Sequence, residues 1–330
     1  MNKVDCFVPP MKVSVIIPVR NEERSIRVLL DSLLSQTLPA DEIIITDGGS
    51  TDSTRDIIRK YIAEGSPIHL IQENVALPGR GRNLGAQQAR NDWIAFTDAG
   101  IRPAKDWLAA LCQKARERSP QVIYGAWEPV TDSWFKMAAA IAYVPSYVQL
   151  DGSRLRPRFI ASTLMLRSVW QAVGGFREDL RSAEDLLFMN NIEAARYRIA
   201  YAPEAVVHWE LQPTTRDTFR RFRTYSRHAM KAGLGGQWQS RVSLMYLLML
   251  LACVAAPWWW PLISVPVLIP LARAARRIHS WYSNETIWRR GIRLINPIRV
   301  LTVAWITIVI DVAMFCGMFD WYMRRQASGN

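Results

Sequence analysis

Cysteine is scarce and scattered. Cys6, Cys112, Cys253 and Cys316 are the four in 330 residues, and none stands at a metal-ligand spacing, which excludes a disulfide scaffold and a zinc ribbon. The first twenty residues hold no basic stretch leading into an apolar one, so a secretory signal peptide is not expected and Met1 is placed in the cytosol. No repeat of fixed period is visible, and the composition is neither disordered nor collagen-like. The length therefore implies one large or two medium domains with material for a buried core.

Acidic residues nearly vanish from one segment. From Pro213 to Arg299 there are fourteen basic residues and two acidic ones, Asp217 and Glu285, whereas residues 1–212 hold 25 of each sign. The net charge of +12 thus lies in one stretch of the chain. A DNA-binding protein could carry such a block, but this one surrounds apolar runs, which fits the positive-inside bias and attraction to anionic lipid. No nucleic-acid partner is expected.

Two apolar runs carry the membrane reading. Val300–Phe319 is broken only by Asp311 and has the length of one crossing, since about twenty residues at 1.5 Å rise span roughly 30 Å of hydrocarbon. Val242–Leu271 is long for one span and short for two, and Pro257-Trp258-Trp259-Trp260-Pro261 sits near its middle. Tryptophans favour the membrane interface, so this run is expected to be a hairpin whose tip reaches the far leaflet and whose arms return the Arg273–Arg299 loop to the cytosol. The competing reading is a set of buried helices in a soluble protein. Asp311 reads either as an intramembrane functional group or as a paired structural aspartate. Thr215–Lys231 places Phe219, Phe222, Ser226 and Ala229 on one helical face and Arg216, Arg220, Arg223, Arg227 and Lys231 around the rest. It reads as a helix in the membrane surface or as a plain basic connector.

The first half alternates strand and helix. Val13–Val19, Glu42–Thr46, Ile68–Gln72 and Trp93–Thr97 read as buried strands, separated by helical patterns at 26–38, 52–62 and from a Gly-rich turn at Pro78–Gly81 to about Ala89. This predicts an α/β fold with a mainly parallel sheet and flanking helices, in which ligands bind at the carboxyl ends of the strands. Three polar motifs fall there: Arg20-Asn21-Glu22, Asp47–Ser50 and Asp98-Ala99-Gly100. Asp47 could accept from a nucleobase edge, with Gly48 and Gly49 admitting a flat ring, or it could cap the next helix. Asp98 could ligate a divalent ion on a diphosphate, or serve as a turn residue. Arg80-Gly81-Arg82-Asn83 brings two guanidinium groups to a helix start, a place for phosphate.

Taken in order, VSVIIPVRNEERSI, EIIITDGGSTDST, GRGRNLGAQQARNDWIAFTDAG, VGGF and AEDLLF resemble glycosyltransferase family 2, over about residues 12–210. The resemblance implies a GT-A (Rossmann-like) fold and inverting transfer from a nucleotide-activated sugar. It implies that Pro18, Asn21 and Glu22 line the base and ribose, that Asp47 contacts the base, that Asp98 is the first acid of the metal motif, that Asp185 is the catalytic base and that His208 is a further metal ligand. Gly100 stands where the family's second acid does, so dependence on magnesium or manganese is left open. Apolar neighbours at Val173–Phe176 and Leu186–Phe188 should raise the pKa of Asp185, although Glu184-Asp185 is also what a helix N-terminus prefers.

These readings combine into a GT-A domain at 1–235 and a C-terminal membrane region at 236–330, made of a hairpin at 242–271, a basic interfacial linker at 272–297 and a final span at 298–320. The expected activity is transfer of a hexose-type sugar from a UDP- or GDP-linked donor to a membrane lipid or lipid-linked acceptor, in envelope polysaccharide or glycolipid synthesis, with polysaccharide-assembly proteins as candidate partners. The expected location is the cytoplasmic membrane, multi-pass, with the catalytic domain on the cytosolic side. Two alternatives remain: a polyprenyl-phosphate sugar transferase, and a non-catalytic nucleotide-sugar-binding subunit of a membrane complex.

Overall fold

A computed structural model describes residues 11–117, 119–283 and 287–327. Val13–Val19 (β1), Ile26–Leu34 (α1), Glu42–Asp47 (β2), Thr54–Ala63 (α2), Ile68–Gln72 (β3), Pro78–Gln88 (α3) and Trp93–Phe96 (β4) alternate strand and helix. Ile101–Pro103 (β5), Trp107–Arg116 (α4), Val122–Val130 (β6) and Trp134–Tyr143 (α5) follow. The hairpin Val148–Leu150 (β7) and Ser153–Leu155 (β8) then precedes Thr163–Leu166 (β9), Arg167–Ala172 (α6), Glu184–Ala194 (α7) and Ile199–Glu210 (β10). The rest is helical: Thr215–Lys231 (α8), Gly236–Ala255 (α9), Val265–Trp281 (α10), Ile287–Ile295 (α11) and Pro297–Ala327 (α12). Cys6 lies outside the described residues.

Eight strands form one sheet in the order β3-β2-β1-β4-β9-β6-β10-β5. The first four are parallel, β9 runs against both β4 and β6, and β5 runs against β10. The central parallel strands β1, β2 and β4 are buried on both faces, as strands covered by helices must be: Ile16, Ile44, Ile94 and Phe96 are all buried, with Tyr124, Phe176 and Phe188 in the same core. Register aligns Val19 with Asp47 and Asp47 with Gln72, so the ends of β1, β2 and β3 share one edge.

The Gly-rich turn expected at Pro78–Gly81 is instead the first turn of α3, with Pro78 at its start, a position where a missing N–H costs nothing. Its glycines serve packing. A Cβ on Gly85 would stand 2.5 Å from Ile16 Cγ2, and one on Gly81 would stand 2.9 Å from Pro18 Cβ. The helix therefore lies directly on β1.

The chain divides into two compact units interleaved in sequence, where the reading above drew one boundary at 235. The first comprises the chain up to Glu128, Val148–Asp179 and Glu184–Trp209; the second comprises Pro129–Tyr147, Leu180–Ala183 and the chain from Glu210. In the second unit α12 packs with α8, α10 and α5. Gly317 permits the α8 contact, since a Cβ there would meet the Arg223 carbonyl oxygen at 2.3 Å, and the Ser226 hydroxyl donates to the Met314 carbonyl at 2.7 Å.

α12 is the one helix among the described residues that is long and apolar enough to cross a membrane, and half of its apolar window is buried inside the protein. The hairpin exists: α9 and α10 meet through a short 3-10 turn, Trp260–Ser264, and Trp258, Trp259 and Trp260 are 83%, 63% and 79% exposed. Its arms are shorter than a crossing requires, because the apolar stretch Val242–Ala255 rises only about 21 Å. The expected basic linker is shared between two helices: Arg273, Arg276 and Arg277 extend α10, and Arg289, Arg290 and Arg293 belong to α11. Asp311 is the paired structural aspartate: Arg273 holds both its oxygens and the Tyr246 hydroxyl donates to Oδ2 at 3.0 Å, joining α9, α10 and α12.

Candidate active site

The β1–α1 and β2–α2 loops are laced together. Asn21 takes a left-handed backbone (φ 56°), which asparagine tolerates better than most residues. Its amide donates to Ser50 Oγ at 2.8 Å and its Oδ1 accepts from the Thr51 amide at 2.8 Å. The Glu22 amide donates to Thr54 Oγ1 at 2.7 Å, while its carboxylate accepts from the Ser25 hydroxyl. Asp47 is fully buried between Ser50, whose amide donates to both its oxygens at 3.2 and 3.3 Å, and Arg55, whose Nε lies 3.5 Å away. This is the turn-organising arrangement. A base edge reaches the carboxylate only if the Arg55 side chain, 39% exposed, swings aside. Gly48 and Gly49 are crowded by chain, not open to a ring: Cβ atoms there would stand 2.3 Å from the Ala76 carbonyl oxygen and 2.1 Å from that of Asn74.

The Arg80–Asn83 segment divides by role. Arg80 is partly exposed and pairs with Glu73 at 3.3 Å and Glu178 at 3.2 Å. Arg82 is buried. Its Nη2 donates to Asp98 Oδ1 at 2.7 Å, its Nη1 donates to Glu184 Oε1 at 2.8 Å, and its guanidinium lies over the Phe176 ring. Asn83 faces the protein interior: its carboxamide donates to the Phe176 carbonyl and Glu178, and accepts from the Phe176 amide and the Trp170 indole. Asn83 thus holds the 170–178 segment in place and does not reach toward a phosphate. Pro18 seats the start of α3 through Gly81.

Arg82 is what gathers the acids. Asp98 comes from the end of β4 and Glu184 from the first turn of α7, and one guanidinium bridges them. Asp185 follows Glu184, its Oδ1 accepting from the Leu186 amide at 2.8 Å. Ala183, the preceding residue, adopts φ 71°, a left-handed conformation that costs a non-glycine residue about 1 kcal/mol and launches α7 at this point. Phe176 and Phe188 stack at 3.9 Å, with Phe96 edge-on to both, and wall the base of α7. Burial pushes the Asp185 carboxyl above the ordinary range; Arg82 opposes the shift and Asp98 adds to it. Two buried atoms in this cluster, Glu184 Oε2 and Arg82 Nε, have no hydrogen-bond partner among the described residues.

For a metal ion the protein offers little. Asp98 Oδ1 is taken by Arg82, Gly100 supplies no side chain, and the described residues contain no group of three or more His, Cys, Asp or Glu side chains able to hold an ion. His208 sits on β10 opposite Arg102 of β5. One partly exposed carboxylate fits an ion that arrives on a diphosphate and takes most of its ligands from it.

A model described as Glycosyl transferase family 2 matches residues 14–178, half of the chain. The chain belongs to this family. Among curated relatives, the Staphylococcus aureus poly(ribitol-phosphate) beta-N-acetylglucosaminyltransferase TarS is 29% identical over 186 residues, which cover 54% of this chain and 32% of TarS. A Bacillus spizizenii poly(ribitol-phosphate) beta-glucosyltransferase is 40% identical over 119 residues, 35% of this chain and 19% of that one. Glycosyltransferase AglE of Haloferax volcanii is 27% identical over 59% of this chain and 65% of its own length. The chain therefore matches about a third of TarS or less than that of the glucosyltransferase. Structural likeness extends to TarS residues 1–349 with UDP (TM-score 0.50, 20% identity, 95% of this chain and 92% of that chain). It also extends to the mannosyltransferase PcManGT of Pyrobaculum calidifontis with GDP-Man and Mn2+ (TM-score 0.55, 20% identity, 92% and 87%). The fold is GT-A, followed by a C-terminal helical unit.

For this family 2 chain the sequence reading expected the carboxyl edge of the sheet to gather Asp47, Asp98 and Asp185 around one crevice; it did not anticipate that Arg82 bridges Asp98 and Glu184. Glu184 was legible only as an acid at a helix start, and its pairing with a residue 102 positions earlier leaves no local signature. Arg55 as the cover of Asp47 had no sequence signal at all.

Proposed function

We propose that the protein is an inverting glycosyltransferase that moves a hexose-type sugar from a UDP- or GDP-linked donor to an acceptor at a membrane. The observation that carries this is the Arg82 bridge, which sets Asp98 and the Glu184-Asp185 pair at one end of the sheet. In this reading the base and ribose lie along Pro18, Asn21 and Glu22, and the base edge takes the place of Arg55 against Asp47. Arg80 faces the phosphates, exchanging its exposed pairs with Glu73 and Glu178 for the donor. Asp98 would hold a divalent ion that enters with the diphosphate, with His208 as the other candidate ligand, and such an ion would supply positive charge against the leaving diphosphate.

Asp185 takes the proton of the acceptor hydroxyl as the new glycosidic bond forms and the bond to the diphosphate breaks. A base held in place against the acceptor supplies about 10²–10⁴-fold of rate. Its raised pKa makes it a stronger base than an exposed aspartate, and Arg82 keeps it from being neutralised outright. Arg82 is a positioning residue: it fixes the two acids and has no nitrogen exposed enough to grip a donor.

Membrane attachment in this proposal is monotopic, on the cytoplasmic face. The α9–α10 hairpin enters one leaflet with Leu244, Leu247, Leu248 and Leu251 exposed on its flank and tryptophans at its tip. α12 is its support, because arginine-rich α8 packs along the same stretch of α12 that a crossing would have to bury in hydrocarbon.

The test is a donor screen with full-length protein in its membranes, following nucleoside diphosphate released from UDP- and GDP-sugars with manganese, with magnesium and with chelator. Release from one donor, lost on chelation and restored by metal, is expected. Tight nucleotide binding with no turnover of any donor would favour a non-catalytic subunit.

A further inference from the structure

Two hydrogen-bond acceptors at the end of β2 are covered by one side chain. Arg55 Nη2 donates to the Ser50 carbonyl oxygen at 2.5 Å, and its Nε lies 3.5 Å from Asp47 Oδ2. The Nε–H and Nη2–H of a planar guanidinium point the same way from one edge, so the carbonyl oxygen and the carboxylate oxygen sit side by side. Both are fixed by their neighbours. The Ser50 amide donates to both Asp47 oxygens, the Ser50 hydroxyl accepts from the Asn21 amide, and the Thr51 amide donates to Asn21 Oδ1. Asp47 is buried while the Arg55 side chain is partly exposed, so the arginine is the movable member of the group.

Such a pair of acceptors discriminates between nucleobases. Guanine carries N1–H and its 2-amino group on one N–C–N fragment, the same two parallel donors that arginine presents on Nε–Cζ–Nη2. It can take over both contacts of Arg55, one donor on each oxygen. Uracil offers one donor, N3–H, with a carbonyl oxygen on either side, so one of those oxygens would face an acceptor of the protein. Adenine and cytosine place a ring-nitrogen acceptor beside their amino group. A base that brings an acceptor to either oxygen leaves it without a partner, which is how a site built of polar groups rejects the wrong ligand.

We infer that the base site selects guanine, and hence a GDP-linked donor, and that Arg55 satisfies the same two acceptors until the base displaces it. The inference rests on the reading above in which the base edge takes the place of Arg55 against Asp47, and it narrows that reading from two nucleotides to one. Arg55 is then an internal stand-in for the base. It keeps a buried carboxylate paired in the free protein, and its displacement subtracts from the affinity for the donor.

The experiment is isothermal titration calorimetry of the full chain in detergent with GDP, inosine diphosphate and UDP, each with magnesium. Inosine diphosphate keeps the N1–H of guanine and lacks the 2-amino group, so it removes one of the two donors and nothing else. Wild type is expected to bind GDP about fivefold or more tightly than either of the others, the lower end of what a two-donor contact contributes to base discrimination. Arg55→Met keeps the apolar stem and removes the competing donors. It should tighten GDP binding by up to about fivefold, the worth of a partly exposed ion pair, and keep GDP ahead of inosine diphosphate. Equal binding of GDP and inosine diphosphate, tighter binding of UDP than of GDP, or weaker GDP binding by folded Arg55→Met would each overturn the assignment while leaving the donor reading in place. The wild-type comparison decides whether or not the variant folds. Binding of none of the three would end the donor reading itself, and the guanine assignment with it.

Discussion

At the residue scale, the proposed chemistry depends on the pair Arg82 and Asp185. Asp185 is raised by burial more than Arg82 lowers it, so the folded state disfavours its ionised form relative to the unfolded chain. A carboxyl of this kind destabilises the protein as pH rises from the ordinary aspartate value, about 4, through its raised one, and the full penalty is present above that. Asp185→Asn should therefore have a higher Tm than wild type at pH 7, with the difference closing as pH falls toward 4; a lower Tm at pH 7 would contradict the burial assigned to this group. The same shift predicts that the acid limb of kcat in the wild type lies above the range of an exposed aspartate, with activity rising as Asp185 loses its proton. Arg82→Gln removes the attraction that lowers this pKa, so the limb should move to higher pH. A limb that stays in place would mean that another group titrates. These residues were legible as types and positions at one edge of the sheet, but the Arg82 bridge between two of the acids was not. Asp98, Arg82 and Glu184 come from separate elements, and which acid a buried arginine chooses depends on packing that no local pattern encodes.

At the scale of elements, strand and helix boundaries in the first half followed closely from apolar periodicity, because β1, β2 and β4 are buried on both faces and the helices between them are buried on one. The glycines of α3 were misread for a physical reason: a run of Gly with Arg looks the same whether the missing Cβ admits a phosphate or a neighbouring strand, and here Ile16 and Pro18 occupy the space. Helix lengths in the second half also departed from expectation. Pro266 lies in the first turn of α10, where a proline ring is tolerated, whereas Pro270 lies inside the helix and removes a backbone hydrogen bond there. The helices are tied together by the buried Arg273–Asp311 pair with Tyr246. Asp311→Leu leaves Arg273 without its partner and should cost about 3–5 kcal/mol, while adding Arg273→Leu should recover most of the loss. Denaturant unfolding of both variants in detergent measures this; equal stability of the single variant and wild type would mean that the pair holds nothing.

At the scale of the molecule, one unit carries the family 2 motifs and the other carries the excess charge and the exposed apolar surface. Composition made the second property plain, but hydropathy counts residues and cannot tell a lipid-facing helix from one whose apolar side is filled by its neighbours. Monotopic attachment predicts that Trp258→Ser, Trp259→Ser and Trp260→Ser together shift the full chain from the membrane pellet toward the supernatant after a carbonate wash. Undiminished retention would favour a crossing by α12. In the proposed reaction Asp185, held beside the Arg82-bridged acids, is the base for sugar transfer from a nucleotide donor. The direct measurement is nucleoside diphosphate release by membranes containing wild type or Asp185→Asn at saturating donor, with nucleotide binding followed in parallel. The account predicts a fall of about 10²–10⁴-fold in turnover with nucleotide binding retained; turnover within a few-fold of wild type would contradict it.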